Sequence, residues 1–133
     1  MPYFDAYLIP IRPSQLPAYC EFSKKVGAVY REHGAMRIRD IILDDCEQTG
    51  ETFHAEETRD ALGDEMRNFI DAAAATTGEM VILSWTEWPD KQARDAGLAA
   101  ALADPRVQPK PEDGVIFEGR RLVAGAFKHL GDW

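Results

Sequence analysis

The chain has 133 residues, of which 45% are hydrophobic and 29% charged, and this is the size and composition of one globular domain. Its formal net charge is −8 and it has no clustered run of Lys and Arg, which argues against nucleic acid or an anionic membrane as a partner. No apolar run approaches the length of a membrane span, and the first residues lack the pattern of a signal peptide, so we expect a cytoplasmic protein.

The first half of the chain predicts a strand, a helix and a second strand. The stretch Tyr3–Ile11, "YFDAYLIPI", is aromatic and apolar except for Asp5, and Arg12-Pro13 ends it. A helix is expected from Ser14, a good N-cap, to Gly34, a natural C-cap, because apolar residues recur between them at helical spacing. Residues 36–43, "MRIRDIIL", alternate well enough for the second strand.

The second half begins with an excursion at about residues 46–77, which is polar, then acidic, and ends in a short helical pattern. The near-continuous apolar run at 79–85 predicts a central strand buried on both faces. A helix over 91–103, capped by the preceding aspartate, follows it. Residues 120–127 predict the last strand, for which a short strand at 115–117 is a potential partner.

This order of elements, βαβ-βαβ, predicts an α+β fold of the ferredoxin-like plan: an antiparallel sheet with both helices on one face. We expect one domain spanning residues 1–133. The sheet's other face would have no cover although the strands are apolar on both sides, and a second copy of the same sheet is the simplest cover. The sequence therefore predicts a homodimer.

Several short motifs together resemble a known family. They are Tyr3-Phe4-Asp5, Glu32-His33-Gly34-Ala35, Asp44-Asp45, Ser84-Trp85-Thr86-Glu87-Trp88-Pro89, Arg94-Asp95-Ala96-Gly97, Ala103-Asp104-Pro105-Arg106 and Phe117-Glu118-Gly119-Arg120-Arg121-Leu122. The chain resembles the bacterial domain of unknown function 1428, or YbaA-like, family in the dimeric α/β-barrel superfamily. The resemblance implies two sheets facing each other to form a barrel between subunits. It implies no activity, since the family has no established one. The superfamily includes cofactor-free monooxygenases, lactone isomerases, haem-binding members and regulatory domains, so the fold is an unreliable guide to chemistry.

The junction at 84–97 packs two tryptophans and a glutamate between apolar segments. By the two-residue period of a strand, Trp85 and Glu87 share one face while Trp88 lies on the other. One tryptophan would then pack beneath the helices and the other would point toward the barrel. The alternative is functional, with Glu87 as an acid or base that lines a barrel pocket.

Asp5 interrupts an otherwise apolar strand, and a buried aspartate needs a partner or shifts its pKa. The strand-borne candidates for that partner are Arg37, Arg39 and Arg121. A structural ion pair is one interpretation. A general base in a barrel cavity is the other, since a desolvated carboxylate can take a proton near neutral pH.

His33 lies just before the predicted helix end, where an imidazolium interacts favourably with the helix dipole. The alternatives are a proton-handling group, or a metal ligand with Asp44, Asp45 or His54, but these residues form no compact metal-binding motif and we predict no metal. We expect Cys20 to be buried on the helix stripe rather than nucleophilic. No nucleotide-binding motif is present, so no cofactor is predicted.

Two functional hypotheses remain from the sequence. In the first, the dimer binds a small, partly apolar molecule between sheet and helices or at the sheet interface. Any catalysis would then be cofactor-independent proton transfer or oxidation, of the monooxygenase or isomerase kind. The residues expected at this site are Asp5, Glu87 and His33 for proton handling, Tyr7, Trp85 and Trp88 for ligand contact, and Arg37 and Arg39 for an anionic group. In the second, the chain is a stress-related or regulatory protein-interaction module whose filled interior has no cavity of about 300 Å³.

Overall fold

The computed structural model describes residues 1–44, 67–110 and 114–133. The elements in chain order are β1 (Tyr3–Ile11), α1 (Leu16–Glu32), β2 (Arg37–Ile42), α2 (Phe69–Ala72), β3 (Met80–Trp88), α3 (Lys91–Ala103) and β4 (Val123–Lys128), with short 3₁₀ turns at Pro13–Gln15 and Gly119–Arg121. The four strands form one antiparallel sheet in the order β2-β3-β1-β4. The α+β, ferredoxin-like fold predicted from the sequence is confirmed.

Local sequence signals explain most element ends. The Asp90 side chain accepts a hydrogen bond from the Ala93 amide at 2.7 Å and so caps α3. Gly34 has φ of 110°, a conformation that glycine adopts without strain, and it ends the helical turn after α1. The expected N-cap of α1 was wrong, because Ser14 lies inside a 3₁₀ turn and Gln15 takes the cap position.

The strands of the second half differ from the sequence prediction. β3 continues to Trp88, since its last four residues pair with the first four of β1. β4 begins at Val123, because a 3₁₀ turn occupies Gly119–Arg121. Residues 115–117 form no strand, so the proposed partner of β4 there was wrong. Of the excursion expected at 46–77, residues 46–66 lie outside the described part of the chain, and the remainder contains α2.

The two faces of the sheet have different environments. On the side of the helices, Ile9, Ile11 and Ile82 pack with Tyr19 of α1 into an apolar cluster, and Trp88 is completely buried. On the opposite face, Val81 of β3 is buried, but other large apolar side chains of all four strands, such as Phe4, Ile41, Trp85 and Phe127, are at most partly covered. β4, an edge strand, is exposed along its whole length. In the described residues the helix side therefore holds the main core, and most of the opposite face is open.

α3 approaches the sheet closely at Gly97. A Cβ atom at this position would collide with the carbonyl oxygen of His33 and with the ring of Trp88. Glycine thus allows the helix to lie against the fully buried indole. None of the helices in the described ranges has the length and apolar character needed to cross a membrane.

Candidate functional site

A cavity of about 190 Å³ lies between α1 and the helix-covered face of the sheet. Its lining residues are Tyr7, Ile9, Tyr19, Phe22, Ser23, Val26, Gly27, Tyr30, Ile38, Ser84, Thr86, Phe117 and Leu122. Gly27 leaves room on the helix side, since a Cβ there would meet only Ile38, at 3.8 Å. The lining is mostly apolar and aromatic, with hydroxyl groups as its side-chain polar atoms, a composition typical of small-molecule sites.

Three tyrosines, Tyr7, Tyr19 and Tyr30, supply half of these hydroxyls. Burial, helped by the charge of Asp5, raises the pKa of Tyr7 to about 12. Burial also raises the pKa of Tyr19, which in addition hydrogen-bonds Asp40, and the pKa of Tyr30. At neutral pH all three are therefore uncharged phenols that can donate or accept a hydrogen bond, and none supplies a phenolate base.

One end of the cavity wall is held by the edge strand β2. The hydroxyl of Tyr19 donates to Asp40 Oδ1 at 2.7 Å, and the hydroxyl of Ser23 donates to Asp40 Oδ2. Charge-assisted hydrogen bonds are among the stronger ones in proteins. A carboxylate on the sheet therefore fixes two cavity-lining side chains of α1.

Asp5 is buried with 4% exposure, as the sequence predicted, but its partner is Arg94 of α3. Arg94 Nη2 lies 2.7 Å from Asp5 Oδ1, and Arg94 Nε is 3.1 Å from both carboxylate oxygens. The indole Nε1 of Trp88 donates to Asp5 Oδ2 at 3.0 Å. This arrangement satisfies both carboxylate oxygens inside the protein.

The three partners proposed for Asp5 were wrong. Strand register places Arg37 and Arg39 opposite Glu87 and Trp85, on the sheet face away from Asp5. Arg121 instead pairs with Glu79 at 2.7 Å. The arginine that does reach Asp5 lies 89 residues further along the chain, on a helix rather than a strand.

The structure divides the other candidate residues between the two sheet faces. Tyr7 and Trp88 lie with Asp5 on the helix side, where Trp88 packs 6.2 Å from the ring of Tyr30. Trp85 and Glu87 lie on the open face, so the predicted separation of the two tryptophans is confirmed. There the guanidinium of Arg39 stacks 5.9 Å from the centre of the Trp85 ring, a cation–π contact.

The remaining candidate on that face is Arg37, which lies directly across from Glu87 in the register of β2 and β3. Glu87 also lies across from Phe4 of β1. Asp5 and Glu87 are therefore on opposite sides of the sheet. They cannot act together on one ligand bound within a single chain.

His33 is the C-cap of α1 and belongs to a surface cluster away from the cavity. Its Nε2 is 3.5 Å from Asp104 Oδ2, too long for a strong hydrogen bond. Arg106 binds both Glu32 and Asp104, and its hydrogen bonds hold the pKa of both carboxyls below the usual range. This cluster ties the end of α1 to the end of α3.

The residues considered for a metal are only partly described. Asp45 and His54 lie outside the described residues, while Asp44 is exposed after β2. Across residues 1–44, 67–110 and 114–133, no three His, Cys, Asp or Glu side chains are grouped as metal ligands. Cys20 is exposed, so its predicted burial was wrong. Its neighbour Tyr19 takes the inward position, because successive helix residues are rotated by about 100°.

Tyr7 was among the residues expected at the site, whereas Tyr19 and Tyr30 were missed because the sequence shows them only as part of the buried stripe of α1. Tyr19, Ser23 and Tyr30 share that stripe, and their hydroxyls were the available signal of a polar lining. Ser84 and Thr86 carry the same signal, two polar residues on one side of an apolar strand. Periodicity gives the face of each residue, but not the empty volume between the faces.

Comparison with known proteins gives relatives along the whole chain. The uncharacterized protein YbaA of Escherichia coli strain K12 is 28% identical over 132 residues, which cover 99% of each chain, and the YbaA of Shigella flexneri matches equally. Among solved structures, that of Rv0793 from Mycobacterium tuberculosis covers 99% of this chain and 98% of its own, with 12% identity and a TM-score of 0.45. The family described as "Protein of unknown function (DUF1428)" matches residues 2–119, and the chain belongs to this family.

Proposed function

We propose that this protein binds a small molecule whose uncharged, mostly apolar portion occupies the cavity between α1 and the sheet. The cavity of about 190 Å³ is the observation that carries the proposal. It exceeds the roughly 150 Å³ that holds benzene in an engineered protein, but it is smaller than the ~300 Å³ at which drug-sized sites begin. The portion of the ligand inside the cavity is therefore about one ring in size.

The lining sets the chemistry of this portion. It contains no Lys, Arg, Asp, Glu or His, so a charged group would enter without a counter-ion. The hydroxyls of Tyr7 and Tyr30 can each donate to a carbonyl or accept from a hydroxyl, whereas the Tyr19 hydroxyl, which donates to Asp40, can only accept. A phenol or a cyclic ketone has the matching combination of an apolar body and one or two hydrogen-bonding atoms.

The proposal extends to catalysis only in a form that these residues support. If the bound molecule reacts, the chemistry that these residues support is cofactor-independent proton transfer. The charge of Asp5 raises the pKa of two lining tyrosines, Tyr7 and Tyr30, so a proton exchanged with the ligand would pass through one of these hydroxyls, with Asp5 as the nearby carboxylate. Loss of turnover in Asp5→Asn at unchanged ligand affinity would support this role, and unchanged turnover would remove Asp5 from it.

The proposal also includes a homodimer formed through the open sheet face. That face presents Phe4, Leu8, Leu83, Trp85, Val123 and Phe127, together with Arg37, Arg39 and Glu87. An apolar patch that carries both signs of charge is self-complementary under a two-fold axis, because one arginine of each subunit can meet the partner's glutamate. The ligand-contact roles expected for Trp85 and Arg39 would then belong to the dimer interface.

Native mass spectrometry of the protein purified without added ligand tests both parts, with the denatured mass as reference. We expect a dimer, and either a small extra mass or an empty cavity that takes up cyclohexanone or phenol on titration. Gly27→Leu places a side chain into the cavity and should abolish this uptake while leaving the circular dichroism spectrum intact. A monomer would contradict the dimer, and uptake unaffected by Gly27→Leu would contradict the cavity.

A second candidate is the non-enzymatic stress-related or regulatory interaction module. The observation that favours it is the modest volume of the cavity between α1 and the sheet, which stays below about 300 Å³. Under this alternative the dimer carries no bound mass, and ring-sized probes leave its melting temperature unchanged. The same titration therefore separates the two candidates.

A further inference from the structure

A second space, a groove of about 440 Å³, lies on the other side of the cavity wall. Phe22, Val26 and Phe117 line both the groove and the cavity. The two phenyl rings meet edge to face, with centroids 5.9 Å apart. Because both rings line both spaces, a ligand that spans the cavity and the groove would pass beside Phe22 and Phe117.

The groove differs from the cavity in charge. Its charged lining residues are Lys25, Arg106 and Lys110, and none of the described lining residues is acidic. Such a cluster is notable in a chain whose net charge is −8. The rest of the lining is largely apolar, with Val107, Val115 and Ile116 beside the shared phenylalanines.

The three cations are not equally available to a ligand. Arg106 is already held by Glu32 and Asp104, with its Nη2 at 2.6 Å and 2.8 Å from their oxygens. Lys25 and Lys110 make no ion pair with any other described residue. A ligand anion in the groove would therefore meet two lysines above an apolar floor.

We infer that the ligand is a small amphipathic anion, with its apolar ring in the cavity and its carboxylate in the groove near Lys25 and Lys110. This inference rests on the proposed function, because the ring occupies the cavity described there. Beyond the proposed function, it assigns a negative charge to the ligand and an orientation from the cavity toward the groove. A carboxylate is the anion that fits best, since lysine ammonium groups pair with it without a metal and the groove's remaining walls suit a short alkyl linker.

Phenylbutyrate and phenylbutanol provide a matched pair of probes that differ only in the charged end. By isothermal titration at low ionic strength, the full chain should bind the carboxylate about three- to tenfold more tightly, as expected for two partly exposed charges. Lys25→Gln combined with Lys110→Gln should reduce this preference to about one, because the countercharges are gone. Lys24→Gln should retain the preference for the carboxylate, since Lys24 immediately precedes Lys25 in α1 and does not line the groove.

The outcomes separate this inference from the proposed function. Equal binding of both probes, lost in Gly27→Leu, would overturn the anionic ligand and keep the cavity. A lysine-dependent preference that survives Gly27→Leu would overturn the ring placement and leave only an anion site in the groove. A preference that persists in the double lysine variant, or no binding of either probe, would overturn the inference outright. Ser84→Val is a second cavity-filling variant, for use if Gly27→Leu does not fold.

Discussion

At the scale of single residues, Asp5 illustrates how one carboxylate joins three elements. It lies on β1, accepts from the indole of Trp88 on β3, and forms an ion pair with Arg94 of α3. The centre of the Tyr3 ring lies 5.7 Å from the guanidinium carbon of Arg94, a cation–π contact. In a buried ion pair, the attraction between the two charges offsets the cost of removing them from water. Removing one partner therefore leaves the other charge buried without a counter-ion.

Asp5→Asn should therefore lower the free energy of unfolding by about 2–4 kcal/mol, because Arg94 would keep its charge without the buried partner. Asp95→Asn is the matched control. Asp95 binds the same guanidinium at 2.9 Å but is 52% exposed, so its loss should cost at most about 1 kcal/mol. Urea denaturation monitored by tryptophan fluorescence measures both. Equal losses would mean that burial of Asp5 contributes nothing to the strength of this pair.

The cavity tyrosines predict how stability depends on alkaline pH. A phenol whose pKa rises on folding binds more protons in the folded state, so its contribution is complete below the unfolded pKa and is lost as pH rises through the folded one. For Tyr7 this window runs from 10.0 to about 12. The free energy of unfolding should fall across it, and Tyr7→Phe should make the fall shallower. An unchanged slope would show that Tyr7 ionises as it does in the unfolded chain.

At the scale of elements, two buried helical glycines, Gly27 and Gly97, lie in opposite packing environments. Gly27 of α1 has space around it, whereas Gly97 of α3 is in close contact with the sheet. Both carry the conformational cost of glycine in a helix, about 0.5–1 kcal/mol relative to alanine. Only Gly97 offsets that cost by allowing close packing.

Gly27→Ala should stabilise the protein by about 0.5–1 kcal/mol, because the methyl group meets Ile38 at an ordinary contact distance. Gly97→Ala should destabilise it by about 1–3 kcal/mol, since α3 would have to move away from Trp88 and His33. Thermal melting of the pair gives the sign of each change. Two changes of the same sign would contradict the packing at one of the two positions.

The sequence predicted elements better than it predicted contacts between them. β1 and α3 have the predicted bounds. In β1, Asp5 is the only interruption of an apolar and aromatic run, and in α3 the capping Asp90 marks the first turn. β4 was placed three residues too early, because apolar letters alone cannot distinguish a strand from the 3₁₀ turn before it. The Asp5 partner and the cavity depend on how α1 and α3 sit on the sheet, which local periodicity does not determine.

At the scale of the whole molecule, the uncovered sheet face predicts association. Phe127→Glu should raise the dimer dissociation constant by about tenfold or more, because a carboxylate would have to be desolvated in an apolar interface. Leu102→Glu on α3 is the control. The two side chains have similar exposure, 57% and 51%, but only Phe127 lies on the open face. Sedimentation velocity over a concentration series measures the shift, and equal behaviour of both variants would contradict this interface.

The two edges of the sheet differ in how well they are protected. β2 carries Arg37, Arg39 and Asp40, and charges on an edge strand oppose pairing with foreign strands. β4, exposed along its whole length, has the sequence "VAGAFK", in which Lys128 is the single charge. When the protein is heated, aggregation should therefore begin at β4. Ala124→Lys would place a second charge on β4 and protect that edge against amyloid-like growth, while leaving the opposite edge, β2, unaltered.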